Sequence, residues 1–141
     1  MIWILSLTSS LQDRSAMKQN PVTGLMGLHA FYQEARNKAV LRRTDSSQPD
    51  FTPVYLNITN FNIYNVTHGI PAGDRLLRFV ARTLQAFSPN QLMAQISGDS
   101  FALLAPSGNL LSTLTQVIQT VDRAIDNPNI CLLYTSDAAD E

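Results

Sequence analysis

The sequence predicts an α/β domain in which helices cover a central mixed sheet that contains an antiparallel hairpin. Helical apolar patterns precede and follow a short β-prone run at residues 54–58. Further along, the apolar runs 92–96 and 101–104 flank Gly98 and Asp99, residues that accept turn geometries other residues resist. The order helix, strand, helices, hairpin, helix is typical of a sheet covered by helices.

The first predicted helix begins at Leu28, and its residues Glu34, Arg36 and Lys38 are expected to face water. Its apolar and small residues with helical spacing are Phe31, Tyr32, Ala35, Ala39 and Val40. The polar composition of residues 42–51 predicts a loop. Residues 54–58 then read as a buried central strand.

Two helices and the hairpin follow. Residues 60–68 predict a short helix, and residues 69–73 predict a break before a helix that opens at Asp74. That second helix carries the apolar stripe Leu76, Leu77, Val80, Leu84 and Phe87. After the hairpin, the last helix is predicted from an apolar stripe at clear helical spacing: Leu110, Leu111, Leu114, Val117, Ile118, Val121 and Ile125.

Composition and the N-terminal residues limit the classes of protein to which this chain can belong. The chain has 141 residues, 45% hydrophobic and 15% charged, which fits one domain with a core. A formal net charge of −1 gives no basic field that would favour nucleic acid as a partner. The apolar start, residues 1–7, is shorter than the roughly 20 residues of a membrane span. We therefore interpret residues 1–18 as a lead or linker to the domain.

The last eleven residues, 131–141, resemble the translation of a sequencing adaptor. On this interpretation the domain covers residues 19–130, is truncated before its C-terminal strands, and ends in a tail that packs poorly and adds no stability. Excluding the tail removes Cys131, the only cysteine. A cysteine-free remainder excludes disulfides and thiolate metal sites, and it suits a reducing compartment such as the cytoplasm.

Three segments carry a family resemblance. Residues 57–74 read N-I-T-N-F-N-I-Y-N-V-T-H-G-I-P-A-G-D, residues 97–101 read S-G-D-S-F, and residues 20–25 read N-P-V-T-G-L. In this order they resemble the GGDEF family, the diguanylate cyclase domains of bacterial cyclic-di-GMP signalling. The family pattern D-I-D-x-F-K-x-I-N-D-x-Y-G-H-x-x-G-D is matched without a gap at Ile58, Phe61, Asn65, Gly69, Gly73 and Asp74. Its signature G-G-[DE]-E-F falls on Ser97, Gly98, Asp99, Ser100 and Phe101. The resemblance implies a ferredoxin-like palm.

The resemblance also implies a metal-dependent reaction. The family joins two GTP molecules across a homodimer, and it holds Mg²⁺ with carboxylates at the strand end and in the third position of the signature. These positions are Asn57 and Asp99 here, so Asp99 is the candidate catalytic residue and metal ligand. An amide oxygen at Asn57 brings no charge, and Ser100 removes another acid. Mg²⁺ is therefore expected to bind weakly or not at all. An ordinary surface turn remains the alternative for Asp99.

By the same resemblance, Asn65 and Asp74 match the guanine-reading pair, and the segment with Gly69 and Gly73 approaches the phosphates. The alternatives are a helix N-cap for Asp74, a turn residue for Asn65 and backbone geometry for the two glycines. The family's R-x-x-D product-inhibition motif would fall on residues 88–91, which read S-P-N-Q.

Three functions follow as hypotheses. The first is a degenerate GGDEF domain that binds GTP weakly and regulates an attached sensor or C-terminal phosphodiesterase domain. The second is an active diguanylate cyclase that converts two GTP to cyclic-di-GMP and pyrophosphate. The third is a dimerisation module. Each predicts a cytoplasmic domain, either free or as the cytoplasmic part of a membrane-anchored sensor.

Overall fold

The computed structural model describes residues 19–45, 47 and 50–136. The predicted lead, residues 1–18, lies outside this part of the chain. The helices are α1 (Leu28–Thr44), α2 (Phe61–His68), α3 (Ile70–Phe87) and α4 (Leu110–Ile125). The strands are β1 (Phe51–Ile58), β2 (Leu92–Ser97), β3 (Ser100–Pro106) and β4 (Leu132–Ser136), and a 3-10 turn covers Ser107–Asn109.

The four strands form one sheet in the order β2-β3-β1-β4, with antiparallel neighbours throughout. Helices α2 and α3 connect β1 to β2, and α4 connects β3 to β4. This connectivity is the ferredoxin-like arrangement, and it confirms the predicted α/β fold of a helix-covered sheet that contains an antiparallel hairpin. The four strands pair only antiparallel, so the sheet is not mixed as predicted.

The main core lies between one face of the sheet and helices α3 and α4. Side chains alternate across β1, so Val54, Leu56 and Ile58 are buried while Asn57 is exposed on the opposite face. They pack against buried residues of the two helices, namely Leu76, Leu77, Val80, Leu84, Leu114, Val117 and Val121. The predicted helical stripes of α3 and α4 therefore do bury their central residues.

The opposite face of the sheet is covered by α1 through a narrow contact. Phe31 is the only residue of α1 that is fully buried, and it packs with Ala94, Ala102 and Leu104. Tyr32 and Val40 are about half exposed, at 49% and 47%. The predicted helical spacing is present, but Tyr32 and Val40 are not buried, because a helix that meets the sheet along one line buries only the residues on that line.

Lys38 makes a contact that the sequence pattern does not indicate. Its Nζ lies 5.4 Å from the centroid of the Phe51 ring, within range of a cation–π contact.

Helix α3 begins at Ile70, four residues before the predicted start at Asp74. Gly69 has φ of 91° and is both the C-cap of α2 and the N-cap of α3. Pro71 lies in the first turn, where a missing N–H costs no hydrogen bond. The N-cap interpretation of Asp74 was therefore wrong, because Asp74 lies inside the helix, in its second turn.

The segment after α4 forms a strand, which corrects the expectation of a poorly packed tail for residues 132–136. Strand β4 pairs with β1, and Leu132 is 1% exposed. The backbone N–H of Leu132 donates to Asp122 Oδ1 at 2.9 Å. A segment can pair with a sheet edge if it is a short β-prone run with an apolar residue facing the core. The run L-L-Y-T has these properties, whatever its origin. Residues 137–141 lie outside the described chain.

Among the described residues, no helix is both long and apolar enough to cross a membrane.

Candidate functional site

The tip of the β2–β3 hairpin carries the only carboxylate of the signature segment. Ser97 pairs with Ser100, which leaves Gly98 and Asp99 as the two-residue loop. Asp99 Oδ1 accepts hydrogen bonds from Ser97 Oγ at 3.3 Å and Ser100 Oγ at 3.2 Å. The backbone N–H of Ile58 donates to Asp99 O at 3.0 Å. The tip is thus anchored to the end of β1.

The predicted turn at Gly98 is confirmed, but Gly98 does not adopt the kind of backbone conformation that only glycine accepts easily. Positive φ among the described glycines occurs at Gly24 and Gly69. A Cβ built on Gly98 would meet no atom within 4 Å. The hairpin therefore does not require glycine at this position.

The structure brings Asn57 and Asp99 together, as the sequence predicts. Asn57 Nδ2 donates to Ser100 Oγ at 3.1 Å and to Asp99 O at 3.4 Å. An open cavity of about 430 Å³ lies beside this group, on the sheet face that Asn57 shares with Tyr55 and Leu133. Space for a ligand is present next to the hairpin tip.

The oxygen atoms that Asn57, Asp99 and Ser100 offer as ligands fit a magnesium ion poorly. Mg²⁺ is usually bound by one or two carboxylates together with substrate phosphates. Asp99 supplies one carboxylate, while Asn57 turns the donor end of its amide towards the hairpin. Within the described part of the chain, no group of three or more His, Cys, Asp or Glu residues could hold a metal ion. The arrangement offers Asp99 and neutral oxygens.

A second polar group lies where α2 meets α3. Asn65, on α2, has a buried Oδ1 with no hydrogen-bond partner, the one such side-chain atom among the described residues. A Cβ built on Gly73, in α3, would lie 1.8 Å from this oxygen. Asp74 follows Gly73 and is partly exposed. The structure therefore places Asn65 directly against Gly73, and Asp74 is the next residue of the same helix.

The two predicted glycines have different roles in the fold. Gly69 has φ of 91°, so it is there for backbone geometry. Gly73 does not have a positive φ and is buried, so it is there for space. The expectation of backbone geometry was right for Gly69 and wrong for Gly73.

Thr59 occupies the position of the family's second strand-end aspartate, and its contacts are structural. Its backbone N–H donates to Cys131 O at 2.9 Å, and its Oγ1 accepts from the backbone N–H of Cys131 at 3.0 Å. These contacts tie the end of β1 to the start of β4. Thr59 therefore brings neither a charge nor an uncommitted backbone N–H to the site.

Gln95 links two distant segments through hydrogen bonds that the sequence did not reveal. Its side chain is 5% exposed, and its Oε1 accepts a hydrogen bond from Thr23 Oγ1 at 2.7 Å. Its Nε2 donates to Gly98 O at 3.5 Å, in the hairpin loop. Gln95 thus connects the turn at residues 20–25 to the hairpin that carries Asp99. The two bonded residues are 72 positions apart, so no local pattern could have indicated this contact.

Comparison with known proteins agrees with this geometry. Residues 17–132 match the family model described as diguanylate cyclase, GGDEF domain. Among curated proteins, the cyclic di-GMP phosphodiesterase PdeB of Shewanella oneidensis is 31% identical over 129 residues. The match covers 89% of this chain and 14% of the length of that relative.

Solved structures show the same fold. The GGDEF domain of DgcB from Caulobacter crescentus, solved in complex with c-di-GMP, matches with a TM-score of 0.69 and 21% identity, over 84% of this chain and 75% of that one. Diguanylate cyclase SiaD from Pseudomonas aeruginosa, solved with its activator SiaC, matches with a TM-score of 0.70 and 20% identity, over 92% and 52%.

Proposed function

This chain belongs to the GGDEF family of diguanylate cyclase domains, a family of cyclic-di-GMP signalling, and we propose that it binds GTP weakly and turns it over little or not at all. Its role is then regulatory. Binding of GTP to this domain changes the activity of an attached domain, and this domain does not itself produce cyclic-di-GMP.

The observation that carries this proposal is the chain of hydrogen bonds from Asn57 through Ser100 to Asp99. In the family pattern, two of these three positions hold further acids. Phosphoryl transfer depends on cations that neutralise charge as it moves onto the leaving phosphate. A site with one carboxylate loses this stabilisation mainly in the transition state, so binding survives while turnover falls.

Recognition of the base is assigned to the contact between α2 and α3. The amide of Asn65 and the carboxylate of Asp74 supply a donor and acceptors to one ligand. The hydrogen-bonding edge of guanine presents both kinds of group. Buried polar groups that pair with a base also reject analogues that leave them unpaired.

The partner of this domain is proposed from the curated relative. That relative is named as a phosphodiesterase, and the part matched by this chain is 14% of its length. We assign to this domain the regulation of a phosphodiesterase domain in the same polypeptide. A homodimer and Mg²⁺ belong to the alternative, in which two copies form cyclic-di-GMP and pyrophosphate from two GTP. The retained Asp99, with Asn57 beside it, is the observation that favours this alternative.

The first prediction separates the two functions by restoring the missing acids. The double variant Asn57→Asp with Ser100→Glu should raise production of cyclic-di-GMP above that of the wild-type chain, because it returns negative ligands for Mg²⁺ to the hairpin. Production is measured by chromatography of reactions that contain GTP and Mg²⁺, and GTP binding is measured by calorimetry on the same samples.

Asp99→Ala is the matched control and should abolish the activity that the double variant gains. The proposal fails if the wild-type chain produces cyclic-di-GMP at a measurable rate equal to that of the double variant, since the substitutions at 57 and 100 would then cost nothing. The cyclase alternative would stand in that case.

A further inference from the structure

The contact between Asn65 and Gly73 contains a space that only glycine leaves open. A Cβ on residue 73 would lie 1.8 Å from Asn65 Oδ1, 2.9 Å from Asn65 Cγ and 3.2 Å from Phe61 Cζ. Real Cβ atoms essentially never come within 3.0 Å of another heavy atom, so the two contacts with Asn65 are excluded, while the contact with Phe61 Cζ is tight. The carboxamide of Asn65 therefore occupies the position that a side chain at residue 73 would take.

The orientation of this carboxamide is also defined. Its Oδ1 is buried and has no hydrogen-bond donor among the described residues. Its Nδ2 makes no hydrogen bond there either and is not among the buried atoms, so this end of the amide faces outward. An oxygen against the Cα of Gly73 can receive at most a weak C–H contact. Such a buried acceptor is retained because the packing holds it there.

We propose that Gly73 is a positioning residue for base selection: the space beside its Cα seats Asn65 Oδ1, and this seating presents Nδ2 to the ligand as a hydrogen-bond donor. The amide group can offer either a donor or an acceptor to a ligand, and a half-rotation exchanges them. Against the Cα of Gly73 the oxygen can accept a weak C–H contact, whereas the amide N–H₂, a donor, cannot, so this close approach keeps Nδ2 outward without Gly73 touching the ligand itself.

The proposal deepens the proposed function, on which its choice of ligand rests. An outward N–H₂ on Asn65 requires an acceptor on the base, and the carboxylate of Asp74, next to Gly73 in α3, requires donors. Guanine has a carbonyl oxygen beside N–H donors on one edge. Adenine has an amino group where guanine has the carbonyl, so it would set a donor against a donor. The pair selects guanine through the direction of the Asn65 amide.

The steric part of this proposal is tested by thermal unfolding of four chains: wild type, Gly73→Ala, Asn65→Ala and the double variant. Gly73→Ala alone should lower the midpoint by several degrees, because the Cβ displaces the carboxamide. In the Asn65→Ala background the same substitution should cost much less, since only the 3.2 Å approach to Phe61 Cζ remains and alanine favours a helix over glycine.

Gly108→Ala is the matched control, because a Cβ there meets nothing within 4 Å, and it should leave the midpoint within about a degree. An equal loss from Gly73→Ala in both backgrounds would overturn the proposal, because the Cβ would then be excluded by something other than Asn65.

The selective part is tested by calorimetric titration of the full chain with GTP and with ATP. The wild-type chain should prefer GTP, and Gly73→Ala should reduce this preference about tenfold while the affinity for ATP changes little. If Gly73→Ala does not fold, the comparison uses Asn65→Ala and the double variant, which should share the same low preference.

A Gly73→Ala chain that folds and keeps the full preference for GTP would overturn the proposal. A wild-type chain that binds neither nucleotide would instead contradict the proposed function, while the four-chain unfolding cycle would still test the seating of Asn65. The two failures are therefore distinguishable.

Discussion

At the scale of single residues, the sequence predicts that Asn57 lies beside the hairpin but not how the side chains of the candidate site are oriented. The pairing of Asn57 with the hairpin could be predicted because a family pattern fixes which strand end faces which turn. The direction of each amide could not, because it depends on neighbours from other elements: Ser100 for Asn57, and Gly73 for Asn65.

The glycines give a residue-scale prediction. Gly98→Ala should leave the free energy of unfolding unchanged or raise it by about 0.4–1 kcal/mol, because its backbone conformation suits alanine and the unfolded chain loses freedom. Gly69→Ala should instead destabilise the domain by about 1 kcal/mol or more, since φ of 91° strains any residue with a Cβ. Urea titration of both variants measures the difference, and equal effects would contradict it.

At the scale of elements, the helices α3 and α4 were predictable from periodicity, because each buries a wide apolar face. The hairpin was predictable from its two apolar runs and the turn residues between them. The start of α3 was not, since Pro71 and Gly73 look like turn residues in sequence yet suit a helix start and a close helix contact. The strand β4 was excluded on the suspected origin of residues 131–141. That origin stays a prediction, but origin does not decide whether a short β-prone run pairs with an open edge.

Strand β4 gives the element-scale prediction. Leu132→Ala should destabilise the domain by about 2–5 kcal/mol, because it empties a site in the main core. Leu133→Ala is the control and should cost far less, since Leu133 is 54% exposed. Chemical denaturation followed by circular dichroism measures both. Equal and small losses would mean that β4 contributes little to the fold, as the sequence alone suggested.

At the scale of the whole molecule, the ferredoxin-like order was predictable only through the family resemblance, since periodicity alone does not give strand order. What neither periodicity nor motif could supply is the connection between distant segments. Gln95 links the turn at residues 20–25 to the loop that carries Asp99. Such a contact depends on two surfaces that the fold brings together.

This connection gives the last prediction. Gln95→Ala and Thr23→Val should each cost about 1 kcal/mol, and the double variant should cost less than their sum, because the first substitution already removes the shared hydrogen bond. A double-mutant cycle by urea denaturation measures the coupling. Additive losses would show that the two side chains stabilise the domain independently.

The place of β1 in the sheet has a consequence for how the chain acquires its fold. One neighbour of β1 is β3, and the other is β4, the last strand in the described chain. During synthesis, β1 is therefore made before both of its partners, β3 and β4. By contrast, β2 and β3 can pair as soon as their short loop is made. We expect the hairpin to form first and the β4 edge of β1 to stay unpaired longest, because closing distant segments costs the most chain entropy. Until then that edge is an open template for pairing with other chains.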